Sequence, residues 1–511
     1  MADSPVDGLF SSGKRIRLGI WGLGRGGSFY NTCKFLNLDV VAGCDYNAHM
    51  RERFSESFPD AFVTDSADDF LARDDIDAVL LATYCTEHAD DAIRCLNAGK
   101  HVISEVTAFH TMAEGVRLVE AVERTGLVYN LAENYPFSAA NMWLARKWQE
   151  GLFGELMYAE YEYVHECRSL AYTYIDGEPI APGNQAHYWR SWIDIHYYNT
   201  HSLGPMMHIT GLRPTRVVAL PADQSLPGYL MPGRSGKGGI TPSLINMSNG
   251  SVVRNLMGAT TSDSHQQRIW GTRAAAEQTD GQLRVCLGGA GGAPKHVIEP
   301  HWDELGDFAA KTGHGGGDFW VLYYFVRQIL DGDPAPFDVY GASDVTIPGI
   351  LARRSAREDG KAYDVPDFRD RSHRDAYRDD HDAQTRFDHV DGLFGEHGSD
   401  ALAQQFSLTM RDLIGLAITY RSYRDCSLVV SDLQNPQEAV DLADSLIEAL
   451  PRLQDTQRTA RQIVDAYPST EGARVLQEML QQSDEDVTGR ADFGEKLKTE
   501  RDELAASLGD D

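Results

Sequence analysis

Short apolar runs and helical periods alternate from residue 14 to about residue 135. Arg17 to Trp21, Leu38 to Gly43, Ile76 to Thr83, His101 to Glu105 and Leu127 to Glu133 read as buried strands. The run Ile76-Asp-Ala-Val-Leu-Leu-Ala-Thr83 is nearly all apolar, as expected of a parallel strand covered on both faces. Helical spacing fills the gaps: one helix runs through Ala98 and closes at Gly99, and another spans Met112 to Arg124 and stops at Gly126. Strands alternating with helices of this length predict βαβ units, right-handed crossovers and an α/β domain. Ligands then gather at the carboxyl ends of the strands, where Gly22, Asp45, Thr83, Glu105 and Glu133 fall.

After Pro136 the pattern changes. Ala139 to Glu150 has helical spacing and ends at Gly151. Strand-like runs follow at Leu156 to Val164, Arg216 to Leu220, Ser251 to Ala259, Gln267 to Gly271 and Leu283 to Leu287, joined by long loops rich in Gly, Pro and Ser. This predicts an α+β domain with a largely antiparallel sheet. Gly313-His-Gly-Gly-Gly-Asp318 breaks the chain before a helix from Phe319 to Leu330, and Gly341 to Arg357 is a further helix. Asp318 is a candidate N-cap there. Residues 368–399 are dense in Asp, Arg and His and read as a polar linker. Apolar residues recur at helical spacing from 400 to 511, as in Ala439 to Leu450, and predict an acidic helical extension. The expected organisation is 14–135, 136–367, linker 368–399 and extension 400–511, after a disordered leader over residues 1–13.

The first strand runs into Gly22-Leu-Gly24-Arg-Gly-Gly27, a G-x-G-x-x-G spacing. The first glycine makes the tight turn, the second lets backbone approach a pyrophosphate, and the third lets the next helix pack against the sheet. A helix starting near Ser28 would aim its N-terminal dipole at the phosphates. Asp45 follows the second strand at the distance where an acid bonds a ribose 2′-hydroxyl. It repels a 2′-phosphate, so NAD is expected rather than NADP, with nearby Arg51 as the residue that argues the other way. The first domain is therefore read as a Rossmann dinucleotide-binding domain.

Composition narrows the class. The chain has 511 residues, 42% hydrophobic, enough for two or three domains. No apolar run approaches the ~20 residues of a membrane helix. The first residues lack the basic-then-apolar signature of a secretory signal, and a cytoplasmic location is expected. The net charge of −29 excludes nucleic acid and anionic membrane as natural partners. Seven scattered cysteines form no C-x-x-C pair, and no disulfide framework or metal site is expected. The His/Asp spacing in 368–399 likewise fits no standard metal site.

Tyr198-Asn-Thr-His201 places a tyrosine and a histidine three apart, on one face of a helical turn. Histidine moves protons near neutral pH, and tyrosine does so where its acidity is tuned. The alternative is a helix entry with two core side chains. Glycines around His314 allow a ligand to approach it closely.

Residues 14 to about 367 resemble the Gfo/Idh/MocA oxidoreductase superfamily. The glycine turn, Asp45, Ala82-Thr83…His88, Glu105 and the Tyr/His helix carry the likeness. Within it, Glu133-Asn134, Gly151-Leu-Phe-Gly-Glu155, Tyr163-Val-His165, Tyr198-x-x-His201-Ser-Leu-Gly-Pro205 and Gly313-His-Gly-Gly-x-Asp318 are similar to the NAD-dependent glycosidases of glycoside hydrolase family 109. The dehydrogenases of this superfamily read Glu-Lys-Pro where this chain has Glu105-Val106-Thr107; the glycosidases read Glu-Val-Pro. Val106 sides with the glycosidases, while Thr107 and Asn199 depart from the prolines of both patterns.

The resemblance implies a carbohydrate substrate and a catalytic NAD: oxidation at C3, elimination across C1 and C2, water addition and re-reduction. It implies Tyr198 and His201 as acid and base, with Glu133 and Tyr163 assisting. It places the cofactor at Gly22, Gly24, Arg25, Gly26, Gly27, Asp45, Thr83, His88, Glu105 and Val106, and the substrate at Arg190, Trp192 and His314. It also implies a homo-oligomer. The alternatives are a sugar or cyclitol dehydrogenase, with His201 as base, and a non-enzymatic sensor that keeps the fold.

Overall fold

The computed structural model describes residues 8–166, 174–175, 178–179, 193–221, 239–260, 263–287, 293–302, 305–384 and 393–509. Arg190 and Trp192 lie outside them. The chain forms two compact units. One comprises Met1–His165, Asp194–Ser225 and Lys237–Thr385; the other comprises Glu166–Ile193, Leu226–Gly236 and Arg386–Asp511.

The first unit opens on six strands: β1 (Ile16–Trp21), β2 (Leu38–Cys44), β3 (Phe62–Thr64), β4 (Ala78–Leu81), β5 (His101–Ser104) and β6 (Tyr129–Leu131). They form one parallel sheet in the order β3-β2-β1-β4-β5-β6. The order reverses between β2, β1 and β4, which opens a crevice above the carboxyl end of β1. Leu18, Ile20, Val79, Leu80, Val102 and Ile103 are fully buried, because helices cover both faces. The helix Met112–Thr125 starts at a Thr111/Glu114 capping box and ends at Gly126 with φ 67°.

The described part of the leader, residues 8–13, packs against the rest of the first unit, in contrast to the expectation. Phe10 is buried, its ring 5.8 Å from that of Tyr323, and Ser11 N–H donates to Asp331 at 2.8 Å.

The second sheet uses β7 (Leu156–Glu166), β10 (Pro214–Ala219), β11 (Ile240–Met247), β12 (Val252–Thr260), β13 (Gln267–Gly271), β14 (Ala275–Thr279), β15 (Gln282–Cys286), β16 (Lys295–Ile298) and β17 (Tyr363–Asp364). Its order is β16-β15-β14-β13-β7-β12-β11-β10-β17. The short pair β8 (Tyr174–Ile175) and β9 (Glu178–Pro179) stands in the other unit. Strand β11 escapes a hydrophobicity pattern because its inward positions include Thr241 and Ser243, while Ile240 and Leu244 face out.

Residues 369–382 are charged but not free. Arg374 is buried and bonds the Glu123 carboxylate and the Phe368 carbonyl. Arg354 forks onto Asp380 at 2.6 and 2.7 Å. These pairs hold residues up to 382 against the helices Met112–Thr125 and Val339–Arg357.

The second unit is helical at its carboxyl end, with helices Asp400–Leu428, Gln437–Ala466, Glu471–Gln482 and Phe493–Gly509. Phe406, Met410, Leu413, Leu476 and Met479 form one core, and Tyr420, Leu446, Leu453 and Leu497 another. Among the described residues no helix is long and apolar enough to cross a membrane.

Candidate active site

Gly22 leaves β1 with φ 93°, and a Cβ there would overlap the Ala82 carbonyl. Only glycine lets β1 and β4 approach this closely at the turn. Helical backbone begins at once, over Leu23–Gly26, rather than near Ser28. The packing role expected of Gly27 falls on Gly26. A Cβ on Gly26 would lie 2.7 Å from Ile20 Cγ2, whereas one on Gly27 would meet only the Tyr30 ring at 3.7 Å. Gly24 is exposed on the crevice turn.

Asp45 closes the turn from β2. Its Oδ2 accepts from Leu23 N–H at 2.7 Å and its Oδ1 from Asn47 N–H at 2.8 Å. Burial pushes its carboxyl up, opposed by those backbone donors and by Arg51. Arg51 donates to the carbonyls of Asp45 and Tyr46, both at 2.8 Å, so its guanidinium is already engaged. Glycine cradle, acid and tethered arginine together suit an unphosphorylated ribose, and the residues fit NAD. Gly22→Ala is expected to weaken NAD binding roughly 5- to 150-fold, because a left-handed φ costs an alanine ~1–3 kcal/mol. Fluorescence titration with NADH, beside far-UV circular dichroism, reads it.

The remaining predicted cofactor residues converge on the β4 and β5 ends. Thr83 Oγ1 donates to Asp91 at 2.9 Å. His88 is buried between the carbonyls of Thr107 and Thr83, at 2.9 and 3.1 Å. Burial lowers its basicity and the two carbonyls oppose the shift. Val106 is buried, and its N–H donates to Glu105 Oε2 at 3.1 Å. The Val106–Thr107 peptide is cis.

Arg25 is held by two acids rather than standing free for phosphate. Its Nε lies 2.8 Å from Glu105 Oε1, and its Nη2 lies 2.9 Å from Asp318 Oδ1. Asp318 is not the N-cap of its helix. That position is Gly316, and Asp318 lies inside Gly317–Asp331. Its fully buried carboxylate also accepts from Asn134 Nδ2 at 3.0 Å, and His314 Nδ1 lies 3.0 Å away. Burial alone would raise its pKa, but His314 and Arg25 outweigh it and hold the carboxyl far below the ordinary range.

The predicted catalytic residues meet in one relay. Glu133, fully buried beyond β6, has both oxygens on His201 Nδ1, at 2.8 and 3.0 Å. His201 Nε2 lies 3.1 Å from Tyr198 OH. His201 belongs to the helix Thr200–Thr210, and Tyr198 to the single turn before it. Tyr163 projects from β7 with its ring 4.9 Å from His201 and 5.4 Å from Tyr198. Sequence reasoning missed Tyr135, which stacks on His201 at 4.3 Å, and His265, whose ring is 5.2 Å from Tyr163. Neither sits in a motif; chain crossing alone brings them in. Burial, then His165, lowers the basicity of His265, with Asp263 opposing.

A family model described as "Oxidoreductase family, NAD-binding Rossmann fold" matches residues 16–133, and one described as "Glycosyl hydrolase 109, C-terminal domain" matches residues 295–375. A glycosyl hydrolase family 109 protein of Shewanella sp. (strain W3-18-1) is 26% identical over 400 residues, 69% of this chain and 85% of the relative. Another, from Saccharopolyspora erythraea, is 27% identical over 406 residues, 72% of this chain and 86% of the relative. Among solved structures, a levoglucosan dehydrogenase in complex with NADH superposes with TM-score 0.59 at 17% identity, covering 69% of this chain and all of that one. An inositol dehydrogenase homolog of Azotobacter vinelandii, complexed with NADH and myo-inositol, gives TM-score 0.55 at 20% identity over 71% of this chain and all of that one. The chain is therefore an NAD-dependent enzyme whose first domain matches the NAD-binding Rossmann model of the Gfo/Idh/MocA oxidoreductases and which is similar to glycosyl hydrolase family 109 proteins.

Proposed function

We propose that this protein is a redox-neutral glycosidase: it oxidises a sugar at C3, eliminates the C1 substituent, adds water and reduces C3 again. The glycine turn, Asp45 and the Glu105 region would hold NAD, which would supply the hydride acceptor and later the hydride donor for C3. Tyr198 takes the proton of the C3 hydroxyl and passes its own to His201 Nε2. Glu133 fixes the Nδ1–H tautomer of His201 and balances the imidazolium that forms. The C3 ketone acidifies the C2 proton. The relay takes up that proton as it hands the C3 proton to the departing oxygen, the electron pair moves toward C1, and the C1–O bond breaks. Tyr163, beside both Tyr198 and His201, orients the sugar and shares this second transfer. No pair of carboxylates flanking the bond is needed, as in other NAD-dependent glycosidases.

The observation that carries the reading is the Glu133–His201–Tyr198 relay at a site where Val106 offers no ammonium. A proton carrier is present, and the lysine of net dehydrogenation is replaced by a side chain that cannot titrate. The second reading is a sugar or cyclitol dehydrogenase, favoured by the levoglucosan and inositol dehydrogenase neighbours. The relay would serve oxidation of a hydroxyl equally well. Aryl-glycoside cleavage with NAD⁺ separates the two. Aglycone release without net NADH is expected across α- and β-linked hexosides and N-acetylhexosaminides. NADH rising with oxidation of a free sugar, and no aglycone release, would overturn the glycosidase reading.

A further inference from the structure

We propose that His165, Asp263 and His265 form a binding site for one divalent transition-metal ion, with zinc as the best match. The sheet register brings them together. Gln267 pairs with Tyr161, and Val164 with Ser264, in one antiparallel ladder. The same register sets His265 opposite Tyr163 and Asp263 opposite His165. Alternate residues of a strand share a face, so Tyr163, His165, Asp263 and His265 project from one side. That side is where Tyr163 meets His201.

One ligand atom from each of His165, Asp263 and His265 lies within 4.8 Å of the others. His165 Nδ1 and Asp263 Oδ1 are 2.7 Å apart, and the imidazole rings are 6.1 Å apart. Ligands ~2.0–2.2 Å from a shared ion stand roughly 3–4 Å from one another. The 2.7 Å pair opens by a few tenths of an ångström to reach that, and a pair at the 4.8 Å limit closes by about an ångström, within the range of side-chain rotation. Two imidazoles and one carboxylate suit zinc and other borderline ions, and three protein ligands leave positions open for water or a hydroxyl. His265 also faces Tyr135, whose ring is 5.8 Å away and stacks on His201. A bound ion would therefore stand beside the relay, where it would hold hydroxyls of a polyol substrate. The ligand set itself does not rest on the glycosidase reading.

The test uses untagged full-length protein, stripped with chelator and titrated with Zn²⁺, then separately with Mn²⁺, by calorimetry. Metal content after desalting is read by mass spectrometry. One equivalent of Zn²⁺ is expected to remain, with weaker retention of Mn²⁺. The variant His165→Ala/His265→Ala should lose it while NADH titration and circular dichroism stay as in the wild type. Asp263→Asn, a milder change near the surface, should weaken Zn²⁺ binding at least ~10-fold. A wild-type protein that retains no Zn²⁺ would overturn the proposal. So would an undiminished equivalent in the variants, which would place the ion elsewhere. Each result is read without substrate, so failure of the glycosidase reading leaves this test intact.

Discussion

His201→Ala is expected to lower turnover by roughly 10²–10⁴-fold while leaving NAD affinity unchanged. The imidazole is the middle of the relay: Nδ1 is committed to Glu133 and Nε2 to Tyr198. Without it, the Tyr198 hydroxyl loses its imidazole acceptor, and the Glu133 carboxylate stays buried without its imidazole partner. His201 bonds Glu133 and Tyr198, neither of them in the glycine turn, so the cofactor site should survive. Glu133→Gln is the finer probe. The amide keeps the volume but presents a donor where a carboxylate accepted, so it favours the wrong tautomer of His201. Steady-state turnover on the responsive glycoside, beside NADH titration, separates chemistry from binding. Full turnover in His201→Ala would remove the relay from the reaction.

The parts of this site that were legible in sequence are those encoded locally. Gly22 and Asp45 follow strands whose apolar runs are unmistakable, and both sit at the crevice as expected. Tyr198 and His201 are three residues apart, and their hydroxyl–imidazole contact follows from one turn of backbone. The longer-range partners were not derivable from spacing. Glu133 reaches His201 only because β6 ends beneath the helix Thr200–Thr210, and its place in the relay came from family likeness. Tyr135 and His265 had no local signal at all. The glycine run shows a subtler limit. Three glycines in near succession define the turn, but which one packs on the sheet depends on where the helix begins, and it begins at Leu23. Asp318 read as an N-cap because local rules assign that role to an acid after glycines. Its partner Arg25 lies 293 residues away, and only the fold reveals that the carboxylate is spent there.

That pairing sets the second large effect. Asp318→Ala is expected to destabilise the protein by about 3–5 kcal/mol, the usual result of removing one member of a buried ion pair. Arg25 would keep Glu105 but lose its second acid, and Asn134 and His314 would each lose a bond. The sign of the pH dependence follows from the depressed carboxyl. A carboxylate held below its unfolded value stabilises the fold above the ordinary range, and that contribution fades as pH falls toward the folded value. Wild-type protein should therefore lose stability from this group below about pH 4. Asp318→Asn, which keeps the size and part of the hydrogen bonding, should start less stable at neutral pH and lose less on acidification. Thermal unfolding followed at neutral and acid pH measures both slopes. Parallel slopes in the two proteins would mean that Asp318 titrates no differently folded than unfolded, and that Arg25 contributes little to its charge. The same substitution bears on the cofactor, because Arg25 belongs to the glycine turn and ties it to Glu105 and Asp318. A turn released on the Asp318 side keeps its glycine geometry but loses the ion pair to the helix Gly317–Asp331. NADH affinity in Asp318→Asn should accordingly fall less than in Gly22→Ala, where the turn itself is strained.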